Sequence, residues 1–362
     1  MYTLGRGVKP GSDVAHLAIF GYPMETYYTG RGPIEVAGLG MPLQQGDIAF
    51  RGNFATVGDD LTVLDRRAGR IKAVDEFAAA IDGIEIDGVK FIIAPGTAYR
   101  AGVIMRGKGL SSEISTCDPG DINMKVLEVK PLDNSPEAKF TASVLNKFHK
   151  QAYEILNAMP ANKKRADDGQ LPANYILVRG AGVAPAMSSF QVKYGMTACC
   201  IAGGGLYKGV GAFLGMDVLE IPGATGQPDT DISAKFKLAV QMLEKYDFAF
   251  VHVKAADSLA EDGNYLGKKE FIEKIDKAMP ELLKMSDDTL LVVTADHSTV
   301  CSLKAHSADP VPVAFSGQGL RTDDVTEFGE RTCARGNLGT IEGKDLMPEI
   351  MNKMGKLVKI GA

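Results

Sequence analysis

The strongest candidates for chemistry lie in a short stretch near residue 300. Asp296 and His297 directly follow the apolar run TLLVVTA, and His306 comes nine residues after His297, in a chain with only five histidines. Carboxylate and imidazole groups are common ligands of Mn²⁺, Mg²⁺ and Zn²⁺. Two interpretations stay open at this point: these are loop residues that make local hydrogen bonds, or they are ligands of one or two metal ions.

A second acidic group follows another apolar run. Asp257, Glu261 and Asp262 come after YDFAFVHV. Asp257 and Glu261 are four residues apart, so one helical turn would place both carboxylates on the same side. Alone, this segment is typical of a solvated helix start, with acids near the positive end of the helix dipole. Two strand ends that both bear oxygen or imidazole ligands favour a metal site, because ligands gather at the carboxyl ends of strands in open α/β sheets.

A serine near the beginning of the chain is the candidate nucleophile. Ser12 follows Gly11 at the start of the predicted helix SDVAHLAIF, which also contains Asp13 and His16. The first prediction for such a serine is a helix N-cap. A helix N-terminus also suits a phosphate group, and metal coordination makes a hydroxyl reactive. Cap and nucleophile are compatible roles, so both are predicted.

Arginines are concentrated between residues 51 and 106, several of them beside glycines. Guanidinium groups match carboxylates and phosphates bidentately, although scattered arginines are usually surface charge. A domain that closes over a metal site with such groups would bind a small phosphorylated carboxylate. The candidates are Arg51, Arg66, Arg67, Arg70, Arg100 and Arg106.

The composition narrows the partners and the compartment. The formal net charge is −5 and no long basic stretch occurs, which argues against nucleic acid and membranes as partners. Five cysteines without a CxxC pair argue against a disulfide framework or a thiolate zinc site. Because we find no signal-like segment and no run of about 18 apolar residues, we expect a cytoplasmic protein.

Strand-like and helix-like patterns alternate most clearly in the second half of the chain. Residues 231–246 and 267–285 place apolar side chains on one helical face, between runs rich in β-forming residues. This alternation predicts an α/β protein with a mostly parallel sheet and helices on both faces. The predicted strands are residues 174–180, 197–204, 217–223, 246–257, 289–298 and 311–317.

The first half predicts a second domain. Residues 36–182 have shorter apolar runs, more turns and one long helix candidate. We therefore expect an inserted, smaller α+β domain at 36–182 and a main domain built from 1–35 and 183–362. The main domain opens on the turn-rich segment GRGVKPGSDVAH, whereas a doubly wound domain usually starts on a strand. We therefore also expect that a strand is missing upstream.

Ten motifs along the chain form a specific combination. They are PGSDVAHL, YYTGRGPIEVAG, GDIAFRGNFATV, DRRAGR, CDPGD, PANYILVRGAG, PGATGQPDTD, VHVKAAD, TADHST and HSADPVPV. With them the sequence resembles, over essentially its whole length, the archaeal type of 2,3-bisphosphoglycerate-independent phosphoglycerate mutase, of the alkaline phosphatase superfamily. The resemblance implies an alkaline-phosphatase-like catalytic domain, an inserted substrate-binding domain, and interconversion of 3-phosphoglycerate and 2-phosphoglycerate.

The resemblance also implies roles for individual residues. Ser12 would carry the phosphoryl group in a phosphoserine intermediate and would bind one metal ion with Asp296 and His297. Asp257 and His306 would bind the other metal ion. Glu261 stands where the family has a further histidine ligand, which bears on metal preference because carboxylate suits Mn²⁺ or Mg²⁺ better than Zn²⁺. A family strand that ends in Asp-Gly, and supplies one more ligand, precedes the point where this chain starts.

The remaining expectations concern cofactors, substrate and assembly. The resemblance implies two divalent metal ions, with Mn²⁺ first and Mg²⁺, Co²⁺ or Zn²⁺ as alternatives, and no 2,3-bisphosphoglycerate. Assembly into a homo-oligomer stays open. Two other functions stay open as well: a metal-dependent phosphohydrolase of the same superfamily, or a non-catalytic relic. The expected substrate-binding residues are Arg67, Arg70, Arg100, Arg106, His16 and Lys208.

Overall fold

The computed structural model describes residues 1–357 and 359, which form an α/β protein of two compact units. The first unit comprises Met1–Tyr28 and the described residues from Ser188 onward, and the second comprises Thr29–Met187. The assignment of residues 36–182 to an inserted domain stays a prediction. Within residues 1–357 and 359, no helix has the length and apolar character needed to cross a membrane.

Helices lie in both units of the part of the chain that the structure describes. Three short 3-10 helices supplement the α-helices, at Ala68–Arg70, Met279–Lys284 and Gly343–Asp345. The α-helices are α1 (Ser12–Ile19), α2 (Met24–Tyr27), α3 (Gly32–Gly38), α4 (Asp75–Ile81), α5 (Pro136–Ala158), α6 (Pro160–Asp167), α7 (Phe190–Tyr194), α8 (Gly205–Phe213), α9 (Ile232–Met242), α10 (Ala255–Glu261), α11 (Tyr265–Ala278), α12 (Glu330–Cys333) and α13 (Leu346–Lys353).

The strands that the structure describes belong to four separate sheets. In chain order they are β1 (Ile48–Val57), β2 (Val63–Asp65), β3 (Glu85–Ile86), β4 (Val89–Pro95), β5 (Arg100–Arg106), β6 (Tyr175–Val183), β7 (Ala198–Ile201), β8 (Asp217–Val218), β9 (Phe248–Val251), β10 (Leu291–Thr294), β11 (Ser298–Val300), β12 (Ala305–Ser307) and β13 (Val313–Ser316).

The first unit contains a three-stranded parallel sheet with the order β8-β7-β9. Parallel neighbours need a crossover connection, and α8 and α9 supply the two crossovers. β10 and β13 form a separate antiparallel pair. The chain between them contains the antiparallel pair β11–β12 and no α-helix, whereas crossovers between parallel strands are usually helical. The prediction of a mostly parallel sheet is therefore wrong for β10 and β13.

The second unit is built on a six-stranded antiparallel sheet with the path β2-β1-β5-β4-β3, in which β6 also pairs with β1. β6 covers residues 175–180 of the predicted strand 174–180, which the sequence suggested as part of the parallel sheet. β6 runs antiparallel to its partner β1 over most of the length of both strands. The largest sheet among the described residues is therefore antiparallel, and it lies in the unit for which the sequence predicts an α+β domain.

The faces of this sheet follow the strand alternation. Ile48, Phe50 and Phe54 of β1 belong to the main core of the unit, which includes the buried face of α5. Ala49 packs on the other face in a smaller cluster with Val36 of α3. Ala49 therefore lies on the face away from α5, whereas Ala55 and Val57 at the end of β1 belong to the main core.

Candidate functional site

Ser12 is the first residue of α1, and Gly11 is the N-cap, with no side-chain cap hydrogen bond. The prediction that Ser12 is itself the N-cap is wrong. A glycine N-cap leaves the serine hydroxyl available for another partner, and Ser12 Oγ lies 2.9 Å from His297 Nε2. The buried Asp13 accepts a hydrogen bond from Tyr28, within the same unit.

Asp296 and His297 follow β10 directly and converge with Ser12. Asp296 Oδ2 lies 3.2 Å from His297 Nε2 and 3.5 Å from Nδ1 of His16. The second ring nitrogen of His297, Nδ1, lies 3.1 Å from Thr299 Oγ1. Burial lowers the pKa of His297, so the imidazole is neutral at physiological pH, as a metal ligand must be.

Asp257 lies on α10, which also contains Glu261, as the spacing of four residues predicts. Asp257 Oδ2 accepts a hydrogen bond from Lys254 Nζ at 2.8 Å, and Oδ1 accepts one from Thr299 Oγ1 at 2.7 Å. Burial acts to raise the pKa of Asp257, but these two hydrogen bonds, together with the charges of Lys254 and His297, outweigh it and hold the pKa below the ordinary value. Asp257 is therefore a carboxylate ion at neutral pH.

His306 lies on β12 and completes the group. Its Nδ1 lies 2.8 Å from the carbonyl oxygen of Pro10, which leaves Nε2 to face Asp257 Oδ1 at 3.5 Å and Glu261 Oε1 at 3.8 Å. The rings of His306 and His297 stack with centroids 3.6 Å apart. Ligating histidines typically fix their orientation by donating the other ring N–H to a carbonyl, as the Pro10 contact allows.

The donor atoms suit a divalent metal ion. Ligand atoms of Asp257, His297 and His306 all lie within 4.8 Å of one another, and Ser12 and Asp296 lie beside His297. Asp296 Oδ2 is buried without a hydrogen-bond partner. Leaving a buried carboxylate oxygen unpartnered is costly, and a metal ion would satisfy it. Carboxylate oxygens with imidazole nitrogens are a donor set for Mn²⁺, Co²⁺ or Zn²⁺.

Several residues of this cluster are missed by sequence reasoning. Thr299 bridges His297 and Asp257, and the ring of Tyr207 lies beside that of His16, with centroids 5.2 Å apart. His252 stacks on Tyr207 with ring centroids 3.4 Å apart, and its Nδ1 is buried without a partner. His252 could have been suggested by its position near the end of the apolar run YDFAFVHV. Thr299 and Tyr207 could not, because threonine and tyrosine are not diagnostic of a site.

His16 and Lys208 are placed differently from the expectation that both bind substrate. His16 is buried, with Nδ1 2.6 Å from the carbonyl oxygen of Ser12, so it supports the first turn of α1. Lys208 Nζ forms an ion pair with Glu220 at 2.6 Å. Any role of these two residues in substrate binding stays a prediction.

A fully buried lysine ties two loops of the first unit together. Lys235 of α9 is 0% exposed, and its Nζ donates to the carbonyl oxygens of Thr225 and His252 at 3.3 and 3.2 Å. Burial first, and then the charge of Lys208, lower the pKa of Lys235 to about 8. The loop after β8 is thereby attached to the loop that leads into α10.

Replacing Lys235 by Met is expected to remove a pH dependence of stability. Between the folded pKa of about 8 and the ordinary value of 10.5, the unfolded chain binds more protons, so the free energy of unfolding rises with pH. At 1.36 kcal/mol per pH unit the gain approaches about 3 kcal/mol. Urea unfolding of the wild type and of Lys235→Met, from about pH 7 to about pH 10.5, measures it. Parallel curves for the two proteins would contradict this assignment.

The second unit gathers arginines on one face of its sheet. Arg51 of β1 lies directly opposite Arg179 of β6, and Arg100 of β5 lies opposite Asn53 of β1. Burial lowers the pKa of Arg51 to about 10, Glu35 opposes that change, and Arg179, Arg31 and Arg100 add to it. Like charges directly across strands are destabilising, so this cluster is maintained at a cost in stability.

Two features suggest that the cluster binds an anion. Arg51 Nε is buried without a hydrogen-bond partner, and an incoming carboxylate or phosphate would accept from the guanidinium group. The β1–β6 register also shifts between Ala49 and Arg51, and Gly180 next to Arg179 has a φ of 69°. Bulges of this kind re-aim side chains near binding sites.

The arginines predicted to bind substrate fall into different surroundings. Arg100 belongs to the cluster, and Arg67 and Arg100 both lie over the ring of Tyr99, at 5.6 and 5.7 Å from its centroid. Arg106, at the opposite end of β5, forms an ion pair with the buried Asp47 at 2.7 Å. Arg70 is exposed at the end of a 3-10 helix.

A buried acid supports the cluster from behind. Asp118 accepts from Arg66 at 3.1 and 2.7 Å and lies 3.7 Å from Arg179. Sequence reasoning missed Arg31 and Arg179 as members of this group. Arg179 stands in the run NYILVRG, where the apolar pattern indicates only a strand, and its neighbours on β1 are visible only in the sheet.

The fold and site define an α/β protein with a carboxylate–imidazole site of metal-ligand type next to a serine hydroxyl. The profile of a family described as 2,3-bisphosphoglycerate-independent phosphoglycerate mutase matches residues 1–162. A protein of that name, mutase 1 from Methanocaldococcus jannaschii, is 49% identical over 366 residues, which cover 100% of this chain and 89% of the relative. The mutase 1 of the same name from Archaeoglobus fulgidus is 45% identical, and the match covers 90% of that relative.

Solved structures give the same result. A Pyrococcus horikoshii protein superposes with a TM-score of 0.82 at 34% identity, covering 100% of this chain and 88% of that one. A cofactor-independent phosphoglycerate mutase from Thermoplasma acidophilum superposes with a TM-score of 0.74 at 35% identity, covering 97% and 88%. The chain therefore belongs to the 2,3-bisphosphoglycerate-independent phosphoglycerate mutase family.

Proposed function

We propose that this protein is an isomerase that interconverts 3-phosphoglycerate and 2-phosphoglycerate through a phosphoserine at Ser12. Membership of the family supports the overall reaction. The observation that carries the mechanism is the position of Ser12 Oγ, 2.9 Å from His297 Nε2 and next to the metal-ligand group. In this proposal the first unit is the alkaline-phosphatase-like catalytic domain, and the second unit binds substrate. The reaction needs no 2,3-bisphosphoglycerate.

Two sets of residues would hold the metal ions. Ser12, Asp296 and His297 form one set, and Asp257 and His306 form the other, with Glu261 as an additional oxygen donor. Divalent metal ions, Mn²⁺ first among them, would lower the pKa of the serine hydroxyl and neutralise charge on the transferring phosphoryl group. Thr299 would orient His297 and Asp257, and the Pro10 carbonyl would orient His306.

The serine carries out two in-line displacements. In the first, Ser12 Oγ bonds to phosphorus, the bond from phosphorus to the substrate oxygen breaks, and the serine proton ends on the departing hydroxyl of glycerate. In the second, the other hydroxyl of glycerate attacks the phosphoserine, and its proton returns to Ser12 Oγ. Lys254, held by Asp257 at 2.8 Å, adds positive charge close to these ligands.

Retention of glycerate between the two displacements is the task that we assign to the arginine cluster. Arg51, Arg100 and Arg179 present guanidinium groups on neighbouring strands, which match carboxylate and phosphate oxygens bidentately. Asp118 would keep Arg179 in place. Because these positive groups repel one another in the free protein, a bound anion would stabilise them strongly by neutralising their charge.

Arg51→Met tests the arginine cluster. We expect KM for 3-phosphoglycerate to rise roughly 10-fold to 100-fold, the equivalent of a hydrogen bond to a charged group. The free energy of unfolding should stay level or increase, because a repulsive charge is removed. Steady-state kinetics and urea unfolding measure the two effects.

The matched control is Arg335→Met, which changes an exposed arginine and should alter neither quantity. Unchanged KM in Arg51→Met would remove the arginine cluster from the proposed mechanism. A loss of stability with unchanged KM would assign Arg51 a purely structural role.

A phosphohydrolase is the chemical rival, because water in place of glycerate would also remove the phosphoryl group from Ser12. The two reactions differ in their product. A coupled assay for 2-phosphoglycerate and a parallel assay for inorganic phosphate, on the same Mn²⁺-loaded protein, separate them. Phosphate release that exceeds 2-phosphoglycerate formation from 3-phosphoglycerate would replace the mutase proposal.

A further inference from the structure

Asn53 is a buried polar residue of the second unit to which the proposed mechanism gives no role. It stands two positions after Arg51 in β1, within the motif GDIAFRGNFATV, and is 5% exposed. Its Oδ1 is buried and accepts a hydrogen bond from none of the residues that the structure describes. Because a buried amide oxygen without a donor is destabilising, this atom is a candidate for contact with a bound ligand.

The neighbours of Asn53 across the sheet supply no donor. Arg100 of β5 and Leu177 of β6 lie directly opposite it. The side chain of Leu177 contains only carbon and hydrogen, and the guanidinium group of Arg100 lies over the ring of Tyr99, 5.7 Å from its centroid. The donor that Asn53 Oδ1 needs must therefore come from a bound molecule.

Arg51 offers an unpaired donor on the same face of β1. The register between β1 and β5 is unbroken from Ile48 to Asn53, and alternation along such a strand places residues two positions apart on one face. Glu35 of α3 lies 3.8 Å from Arg51 Nη1, whereas Arg51 Nε is buried and has no partner in the described part of the chain. One face of β1 thus carries a buried donor and a buried acceptor, both unpaired.

An anion by itself would satisfy only one of these two atoms. A carboxylate accepts from the guanidinium group of Arg51, but it has no hydrogen to donate and its oxygens repel the amide oxygen of Asn53. A hydroxyl group can donate to that oxygen. A ligand that carries a carboxylate and a hydroxyl on neighbouring carbon atoms supplies both partners, so the chemistry of this face matches a hydroxycarboxylate.

We propose that Asn53 is a specificity-determining residue: its Oδ1 accepts a hydrogen bond from the free hydroxyl of a bound hydroxycarboxylate, while Arg51 Nε donates to the carboxylate. The inference rests on the proposed function, in which the phosphoryl group reacts at Ser12 and the carboxylate is left for the arginine cluster. In 3-phosphoglycerate the free hydroxyl is on C2, next to the carboxylate. A ligand without that hydroxyl leaves Asn53 Oδ1 unpaired and is rejected.

Two ligands that differ by one hydroxyl test the assignment. 3-Phosphooxypropanoate lacks only the C2 hydroxyl of 3-phosphoglycerate. Titration calorimetry measures Kd for each ligand on the full chain loaded with Mn²⁺ and carrying Ser12→Ala, so that no phosphoserine forms. We expect Kd for 3-phosphoglycerate to be at least about tenfold lower than Kd for the deoxy ligand. Equal values would show that water satisfies Asn53 and would overturn the proposal, as would the absence of binding by both ligands.

Two substitutions, made in the same Ser12→Ala chain, assign the discrimination to Asn53. Asn53→Leu has a similar shape and no polar atom, so Kd for 3-phosphoglycerate should rise at least about tenfold and come within about threefold of Kd for the deoxy ligand. The free energy of unfolding should not decrease, because the group removed is unpaired. Asn53→Asp keeps an acceptor oxygen, so its negative charge should weaken both ligands while the preference for the hydroxylated one remains.

A residue with a purely structural role would change the affinity for both ligands by the same factor. Persistence of the preference in Asn53→Leu, or its loss in Asn53→Asp, would therefore overturn the proposal. The matched control is Asn134→Leu, which changes an exposed asparagine in the loop before α5 and should leave both dissociation constants unchanged.

The proposed reaction is measured separately, by turnover and serine phosphorylation in the chain that retains Ser12. Discrimination between the two ligands without a phosphoserine would support the role of Asn53 and contradict the reaction. Equal affinities with normal turnover would support the reaction and overturn the role of Asn53.

Discussion

Ser12→Ala is expected to reduce mutase turnover by at least about 10³-fold, because the variant has no atom to carry the phosphoryl group. The methyl group fits the space of the hydroxymethyl group, and Gly11 remains the N-cap, so α1 should be unaffected. Turnover is measured with 3-phosphoglycerate on protein loaded with Mn²⁺. Intact mass after brief incubation with substrate should also reveal one added phosphoryl group in the wild type and none in the variant.

Ser286→Ala provides the matched control. Ser286 is exposed in the loop before β10, at the opposite end of that strand from Asp296. The Ser286→Ala variant should retain wild-type turnover and wild-type phosphorylation. Substantial mutase activity in Ser12→Ala would rule out a phosphoserine at this position, whatever the metal content of the protein.

Asp257→Asn is expected to weaken Mn²⁺ binding by more than the roughly 10-fold to 100-fold typical of changes around a metal ligand, because a ligating charge is lost. The substitution also takes from Lys254 Nζ the carboxylate that it contacts at 2.8 Å, which leaves a partly buried ammonium group unpaired. Mn²⁺ affinity is measured by titration calorimetry, and the residual metal content is measured in the purified protein. Mutase turnover should fall together with the Mn²⁺ affinity.

Asp287→Asn is the control, since Asp287 is an exposed aspartate in the loop before β10. It should bind Mn²⁺ as the wild type does. If Asp257→Asn kept full Mn²⁺ affinity but lost stability, Asp257 would serve the fold through Lys254 and Thr299 rather than the metal. Glu261→Gln extends the comparison, because Glu261 is the farther carboxylate, 3.8 Å from His306 Nε2.

Much of the site could be predicted from the sequence because its residues occupy the ends of recognisable strands. Asp296 and His297 follow an apolar run directly, and the spacing of Asp257 and Glu261 predicts the helical turn that carries both. Type and spacing made these residues candidates, and the presence of two such strand ends favoured a metal site over local hydrogen bonds. The resemblance to a known family added the roles and correctly identified that family.

The supporting contacts could not be predicted, because they join residues far apart in the chain. Thr299 connects His297 to Asp257 across 42 positions, and Pro10 holds His306 across 296. A threonine and a proline carbonyl have no chemical signature in a sequence. The N-cap assignment of Ser12 was wrong for a related reason: the hydroxyl bonds to a distant histidine instead of its own helix.

What the sequence by itself determined is therefore the α/β class, the family and the identity of the metal-ligand candidates, because these depend on local pattern and residue type. Only the tertiary structure decided strand direction and the composition of the arginine cluster. β10 and β13 are antiparallel because no helix crosses between them. Arg51 and Arg179 are neighbours because β1 and β6 pair across more than 120 positions of chain, a register that no short-range pattern encodes.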